Sequence, residues 1–271
     1  MENAVSQALF YKDGFFGYGE ADNFKYWSLA HFIPIILLGL GIFLVFRFRE
    51  KLKNWKHEEN LRFIFAFIMI IVEMSYFWRI LYAGSGKTDE IIDLLDKLPV
   101  QVCGWTCIAC CFMMMKKSQA LYQICFFVCL TLGIFPLLTP SVINTTGPLY
   151  YRYYQFWLEH TLPILGLFYM TFVHGFRPRL TGIGWATGFM AVLTTFAMIC
   201  NFNIPGANYL YLATGTLDEG GGSLMDTIVK IAPDVWVRLA LLSVIVIALF
   251  FIAYFIYIGI TRLYTKLTKS K

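Results

Sequence analysis

A thiol beside an imidazole is about the smallest pair of side chains able to make and break an acyl bond. The imidazole takes the thiol proton, the thiolate attacks a carbonyl carbon, and the imidazole returns the proton to the leaving group. Cys103 and His160 are the candidates for that pair, because both fall a short way inside the same face of the predicted membrane spans. The chain has seven cysteines. The other six (Cys107, Cys110, Cys111, Cys125, Cys129 and Cys200) also lie inside predicted spans and read as small packing residues, not as an extracellular disulfide framework. Cys103, Cys107, Cys110 and Met114 form one stripe of a helix, facing either a cavity or another helix. The C-x3-C-x2-C-C spacing matches no standard zinc site and no histidine is interleaved, so no metal is expected.

Few other groups within the spans can ionise or donate strongly, and each needs a partner or a watery cavity there. At a rise of about 1.5 Å per residue, His31 and Arg79 lie about 6 Å below the outer face, Cys103 about 8 Å, His160 about 10 Å and Glu73 about 15 Å. Glu159, Asn201 and Arg238 also lie toward outer ends, while the inner halves are nearly free of such groups. This one-sided polarity predicts a cavity open to the outer leaflet or outer water. Glu73 is expected to pair with Arg79 or His31, and Asn201 or Arg79 to hold an oxyanion or a headgroup phosphate. The blander alternative is that Arg79 and Arg238 snorkel to the interface and His31 sits among headgroups. Glu159 adjoins His160, but neighbours on a helix point about 100° apart, which argues against its orienting the imidazole.

The elements that must position these residues follow from composition. The chain is 58% hydrophobic and only 14% charged, too little polar surface to cover a soluble domain of 271 residues. About 20 apolar residues cross a hydrocarbon core. Seven stretches qualify: 27–46, 61–83, 98–115, 119–138, 153–174, 181–202 and 233–261, the third being the shortest. Lys and Arg number fourteen in the connections on one side and six on the other, so the amino terminus is expected outside and the carboxyl terminus inside. The expected fold is therefore all-α: a polytopic membrane protein with a bundle of about seven transmembrane helices. Residues 1–26 would be an extracytoplasmic tail without a signal peptide, 27–264 the bundle and 265–271 a basic cytoplasmic tail. The net charge of +5 then reflects contact with an anionic inner leaflet, and nucleic acid is not expected as a partner.

Several tempting motifs fail. Gly84-Ser85-Gly86-Lys87-Thr88 resembles a phosphate loop, but Leu81 stands where the leading glycine is required. Gly220-Gly221-Gly222 lacks a strand–helix context. Asn144-Thr145-Thr146 is a glycosylation sequon, meaningful only in a eukaryotic secretory setting. The last span has no lysine for a retinal Schiff base. No soluble cofactor is expected.

A wider pattern resembles a known family. The string LPVQVC (Leu98 to Cys103) is similar to the LPL-x-x-C segment of the YwaF family of bacterial membrane proteins and the related transmembrane protein 164. In order along the chain come FFGYG (Phe15 to Gly19), LLTP (Leu137 to Pro140), FWLEH (Phe156 to His160), FRPR (Phe176 to Arg179), NYLYL (Asn208 to Leu212) and SLMD (Ser223 to Asp226). The pattern departs at Val100, a leucine in the motif, and at Gln101, where bacterial members often carry a histidine. Gln101 is kept as a supporting candidate. The resemblance implies a phospholipid acyltransferase whose cysteine is Cys103, with a fold similar to membrane lipid hydrolases that use a Thr–His pair.

The expectation is a membrane-embedded lipid acyltransferase or acyl hydrolase, most naturally in the cell membrane, with Cys103 as nucleophile and His160 as base then acid. Its partner would be a phospholipid or other acyl lipid. The rival is a protein that binds or transports a lipid or small ligand without covalent chemistry. Polar residues confined to the outer halves argue against a transport path, whose site usually lies near the midplane.

Overall fold

The computed structural model describes residues 15–16, 24–83, 98, 100–140, 147–213 and 224–269, with the side chains of 78–83, 224–226 and 267–269 outside that description. Much of the two connections carrying the phosphate-loop decoy and the sequon, and the Gly220–Gly222 run, lie outside it too, as does most of the amino-terminal tail. The described residues are helical, with no strand among them. The helices are α1 (Leu29–Lys53), α2 (Glu58–Ala83), α3 (Val102–Lys116), α4 (Gln119–Thr131), α5 (Phe135–Leu138), α6 (Tyr151–Phe172), α7 (Gly182–Asn203), α8 (Leu224–Ile231) and α9 (Val235–Lys269).

Five of the expected spans are helices long and apolar enough to cross a membrane: Leu29–Lys53, Glu58–Phe77, Gln119–Leu138, Gly182–Asn203 and Val235–Lys266. The other two differ for separate reasons. Helix α3 begins at Val102, not at 98, and its 15 residues reach only about 22 Å. Helix α6 is long enough at 22 residues, but Arg152, Gln155, Glu159 and His160 lower its apolarity. The expected fourth span is broken at its end. Helix α4 stops at Thr131 and a separate turn, α5, carries Pro136, whose missing N–H cannot continue the ladder.

Helices α3, α4 and α6 form the centre. Helix α3 packs against α2, α4 and α6, α1 lies against α6, and α4 meets α7 and α9. The core is made by Cys110, Met113, Met114, Tyr122, Phe127, Leu167 and Met170, all essentially inaccessible. By contrast α1 and α9 expose aliphatic and aromatic side chains along most of their length, as helices facing lipid must. Gly166 lets α6 approach α3, since a Cβ there would sit 3.1 Å from Cys110 Sγ.

One end of the α2–α3–α6 core is tied by a single carboxylate. Glu58 Oε1 accepts from Arg62 Nε (2.8 Å), Tyr169 Oη (2.9 Å) and His174 Nε2 (2.7 Å), and Lys117 Nζ lies 3.6 Å from Oε2. Arg62 also donates to the carbonyls of Met114 and Met115, satisfying the carboxyl-terminal turn of α3.

Candidate functional site

At the opposite end of the same three helices, α3 starts at Val102 with Gln101 in the N-cap position, which places Cys103 in the first helical turn. The first intrahelical bond runs from Trp105 N to Gln101 O (3.3 Å), so the earlier N–H groups of α3 precede the ladder. His160 projects from α6, its Nε2 lying 3.0 Å from Cys103 Sγ. Its Nδ1 is 2.7 Å from the Phe156 carbonyl oxygen, an acceptor only, so Nδ1 carries the hydrogen and Nε2 presents a lone pair to the thiol. Phe156 packs against the imidazole at 4.3 Å between ring centroids and fixes its plane.

Glu159 reaches the same place. One ligand atom each from Cys103, Glu159 and His160 lie within 4.8 Å of one another. Sequence reasoning set Glu159 aside because it neighbours His160, but backbone direction does not limit a side chain with three rotatable bonds. The Glu159 carboxylate is held by Gln155 Nε2 (2.8 Å) and lies 3.5 Å from Arg152 Nη1. Arg152 also donates to Gln155 Oε1 and lies over the Tyr76 ring at 4.5 Å. Arg152 and Gln155 were absent from the sequence expectation. Their spacing with Glu159 (i, i+3, i+7) marks one polar stripe of a helix and could have found them.

Glu73 lines the same cavity from α2, 5% exposed, and its Oε2 is buried with no hydrogen-bond partner among the described residues. It can lie there because residue 104 is glycine: a Cβ at that position would collide with the Glu73 carboxylate. Gln101 is exposed and lies on the cavity wall. The cavity has a volume of about 900 Å³. Its polar end carries Glu73, Cys103, Arg152, Glu159 and His160, and its apolar wall is built by Phe135, Pro136 and the α9 residues Leu242, Val246 and Phe250.

Three of the remaining candidates, His31, Asn201 and Arg238, are not brought to this cavity. His31 is fully buried elsewhere: its Nδ1 accepts from Trp27 N (3.1 Å) and its Nε2 donates to Leu137 O (2.8 Å). Both nitrogens are engaged, so it neither pairs with Glu73 nor sits among headgroups. Instead it pins the start of α1 to α5 and supports a turn in which Trp27 has φ +62°. Asn201 donates to Tyr209 O (3.0 Å) and accepts from Tyr209 N (2.8 Å), holding a 3-10 turn (Tyr209–Tyr211) against α7. That clamp uses the amide oxygen and one amide hydrogen on the turn, and Asn201 is not among the residues lining the cavity. Arg238 does not snorkel. It is 1% exposed and donates to the carbonyls of Ala213 (2.6 Å), Ala232 (3.1 Å) and Pro233 (3.2 Å). The side chain of Arg79 lies outside the described residues.

Apolar helices of spanning length, packed around a buried core and a cavity with one polar end, define a polytopic helical membrane protein. The chain belongs to the TMEM164 family, whose pattern it matches over residues 26–256. Comparison with curated proteins and with solved structures gave no match.

Proposed function

We propose that this protein transfers or hydrolyses the acyl chain of a membrane lipid through a thioester on Cys103. The observation that carries the reading is the 3.0 Å approach of a histidine lone pair to a thiol at the polar end of a largely apolar cavity. His160 Nε2 takes the thiol proton and Sγ attacks the ester carbonyl carbon. The tetrahedral oxyanion develops beside the first turn of α3, where N–H groups and the positive end of the helix dipole favour negative charge. Collapse expels the alcohol of the deacylated lipid, which leaves with the proton from His160. A second alcohol, or water, then gives its proton to His160 and attacks the thioester, and the released thiolate takes that proton back. The apolar wall against α9 suits an acyl chain, which gains roughly 0.8 kcal/mol per buried methylene.

The same reading places seven spans across a cell membrane, amino terminus outside, with the cavity opening toward the outer leaflet. The charge bias of the connections supports that orientation, and α3 would span with help from the chain before Val102.

The test is turnover of a labelled phospholipid by purified protein in liposomes. Cys103→Ala is expected to reduce it to background with an unchanged melting temperature. Cys103→Ser is expected to be nearly as inactive, because imidazole activates a hydroxyl far less readily than a thiol. Cys107→Ala and Cys129→Ala are expected to retain activity. Equal turnover by Cys103→Ala and the parent would remove the thioester mechanism and leave noncovalent lipid binding.

A further inference from the structure

Cys103, His160 and Glu159 come from two helices, yet each presents one ligand atom to a common point, all within 4.8 Å of one another. A thiolate, a neutral imidazole nitrogen and a carboxylate oxygen make up the donor set of a three-ligand zinc site with a fourth position left open. We propose that this trio binds a zinc ion through Cys103 Sγ, His160 Nε2 and a Glu159 carboxylate oxygen, with the open position facing the cavity.

The groups behind the trio are those such a site needs. A metal-bound histidine is normally oriented by a hydrogen bond from its other ring nitrogen, here Nδ1 to the Phe156 carbonyl at 2.7 Å. A ligating carboxylate is normally held in turn, here by Gln155 Nε2 at 2.8 Å and Arg152. Thiolate and carboxylate supply two negative charges to the ion, while Arg152 and Glu73 on the same cavity wall carry one group of each sign. Sulfur and imidazole ligands favour zinc over magnesium or calcium. Ligand bonds of about 2.3 Å to sulfur and 2.0 Å to nitrogen put those two atoms about 3.5 Å apart in a tetrahedron. The present 3.0 Å gap therefore opens by about half an ångström, within reach of a small side-chain rotation. Binding exchanges the Cys103 thiol proton for the ion, and the proton leaves to solvent. The cysteine spacing along α3 argues against zinc only for the cysteine stripe, and this site uses a single member of it.

A bound ion would hold both the sulfur lone pair and the imidazole lone pair, so zinc would inhibit any reaction that uses Cys103 as nucleophile. The site shares two residues with the acyl-transfer reading, but binding does not depend on that reaction.

The experiment titrates zinc chloride into reduced, metal-stripped protein in detergent against a fluorescent zinc chelator, and repeats the titration with cobalt to look for a thiolate-to-metal charge-transfer band. One zinc per chain is expected. Cys103→Ser and His160→Ala should each weaken binding by about 100-fold or more, and Gln155→Leu, which releases Glu159, by about 10-fold. The cobalt band should vanish in Cys103→Ser. Wild-type affinity in a folded Cys103→Ser protein, or no binding by the folded parent, would overturn the site. The two readings separate cleanly. Acyl transfer that needs Cys103 but is indifferent to zinc removes the metal site alone. One zinc bound through Cys103, in a protein whose Cys103→Ala variant still turns over lipid, removes the thioester alone.

Discussion

Helix α2 carries two buried carboxylates, Glu58 and Glu73, about 22 Å apart along its axis, and they live in opposite circumstances. Glu58 is saturated, with three hydrogen-bond donors on one oxygen and a lysine near the other. Glu73 has an oxygen with no partner among the described residues, at the wall of the cavity that holds Cys103 and His160. The histidines divide the same way. His31 uses both ring nitrogens on backbone groups, whereas His160 uses one on a carbonyl and offers the other to a thiol. A buried polar atom without a partner costs about 1–3 kcal/mol. One end of the core is thus tied through Glu58, and the other keeps an acid oxygen without a partner among the described residues at the cavity wall. The paired end holds α2, α3 and α6 in register, and the unpaired end uses that register to bring side chains from the three helices together.

The sharpest way to break this contrast is at the reactive end. His160→Ala should abolish lipid turnover, and Cys103→Ala/His160→Ala should cost no more than either single change, because groups acting as a unit fail together. Additive losses in turnover assays would mean that the two act separately. The next largest effect belongs to the paired end. Arg62→Met takes one of three donors from Glu58 and the donor from two carbonyls of α3, and should lower stability by about 3 kcal/mol in denaturation of the solubilised protein. Gly104→Ala drives a methyl group into the Glu73 carboxylate, whose flexible end can move aside, and should cost about 1 kcal/mol, with much of it recovered in Gly104→Ala/Glu73→Ala. The smallest effect expected is that of Glu73→Gln, within about 0.5 kcal/mol of the parent in stability, because no hydrogen bond to Oε2 is there to lose. A loss as large as that of Arg62→Met would show that Glu73 is as firmly tied as Glu58.

Hydropathy alone made most of the helices legible, since a long apolar run has few alternatives to a spanning helix. The two helices that matter most to the site depart from a plain apolar run. Helix α3 is short because it starts at Val102, after the LPVQ stretch, and α6 carries the polar stripe of Arg152, Gln155 and Glu159, of which Arg152 and Glu159 line the cavity. The approach of Cys103 to His160 was legible because their depths matched and the motifs around them were in order. The fates of His31, Asn201 and Arg238 were not. Each bonds to backbone groups of loops or turns, at Leu137, Tyr209 and Ala213, and hydropathy says nothing about where a carbonyl will point. The Glu58 cluster was half visible as an i, i+4 pair with Arg62, but its partners Tyr169 and His174 come from far along the chain.

Gly104 has a consequence for how related sequences are free to diverge. Because its missing side chain is the space that the Glu73 carboxylate occupies, a change at either position alters the room left for the other. A lineage that acquires alanine at 104 moves the flexible end of the acid at 73 aside, and a shorter residue at 73 relieves that displacement. Comparing the two columns across the family is expected to show shorter residues at 73 where 104 carries a side chain.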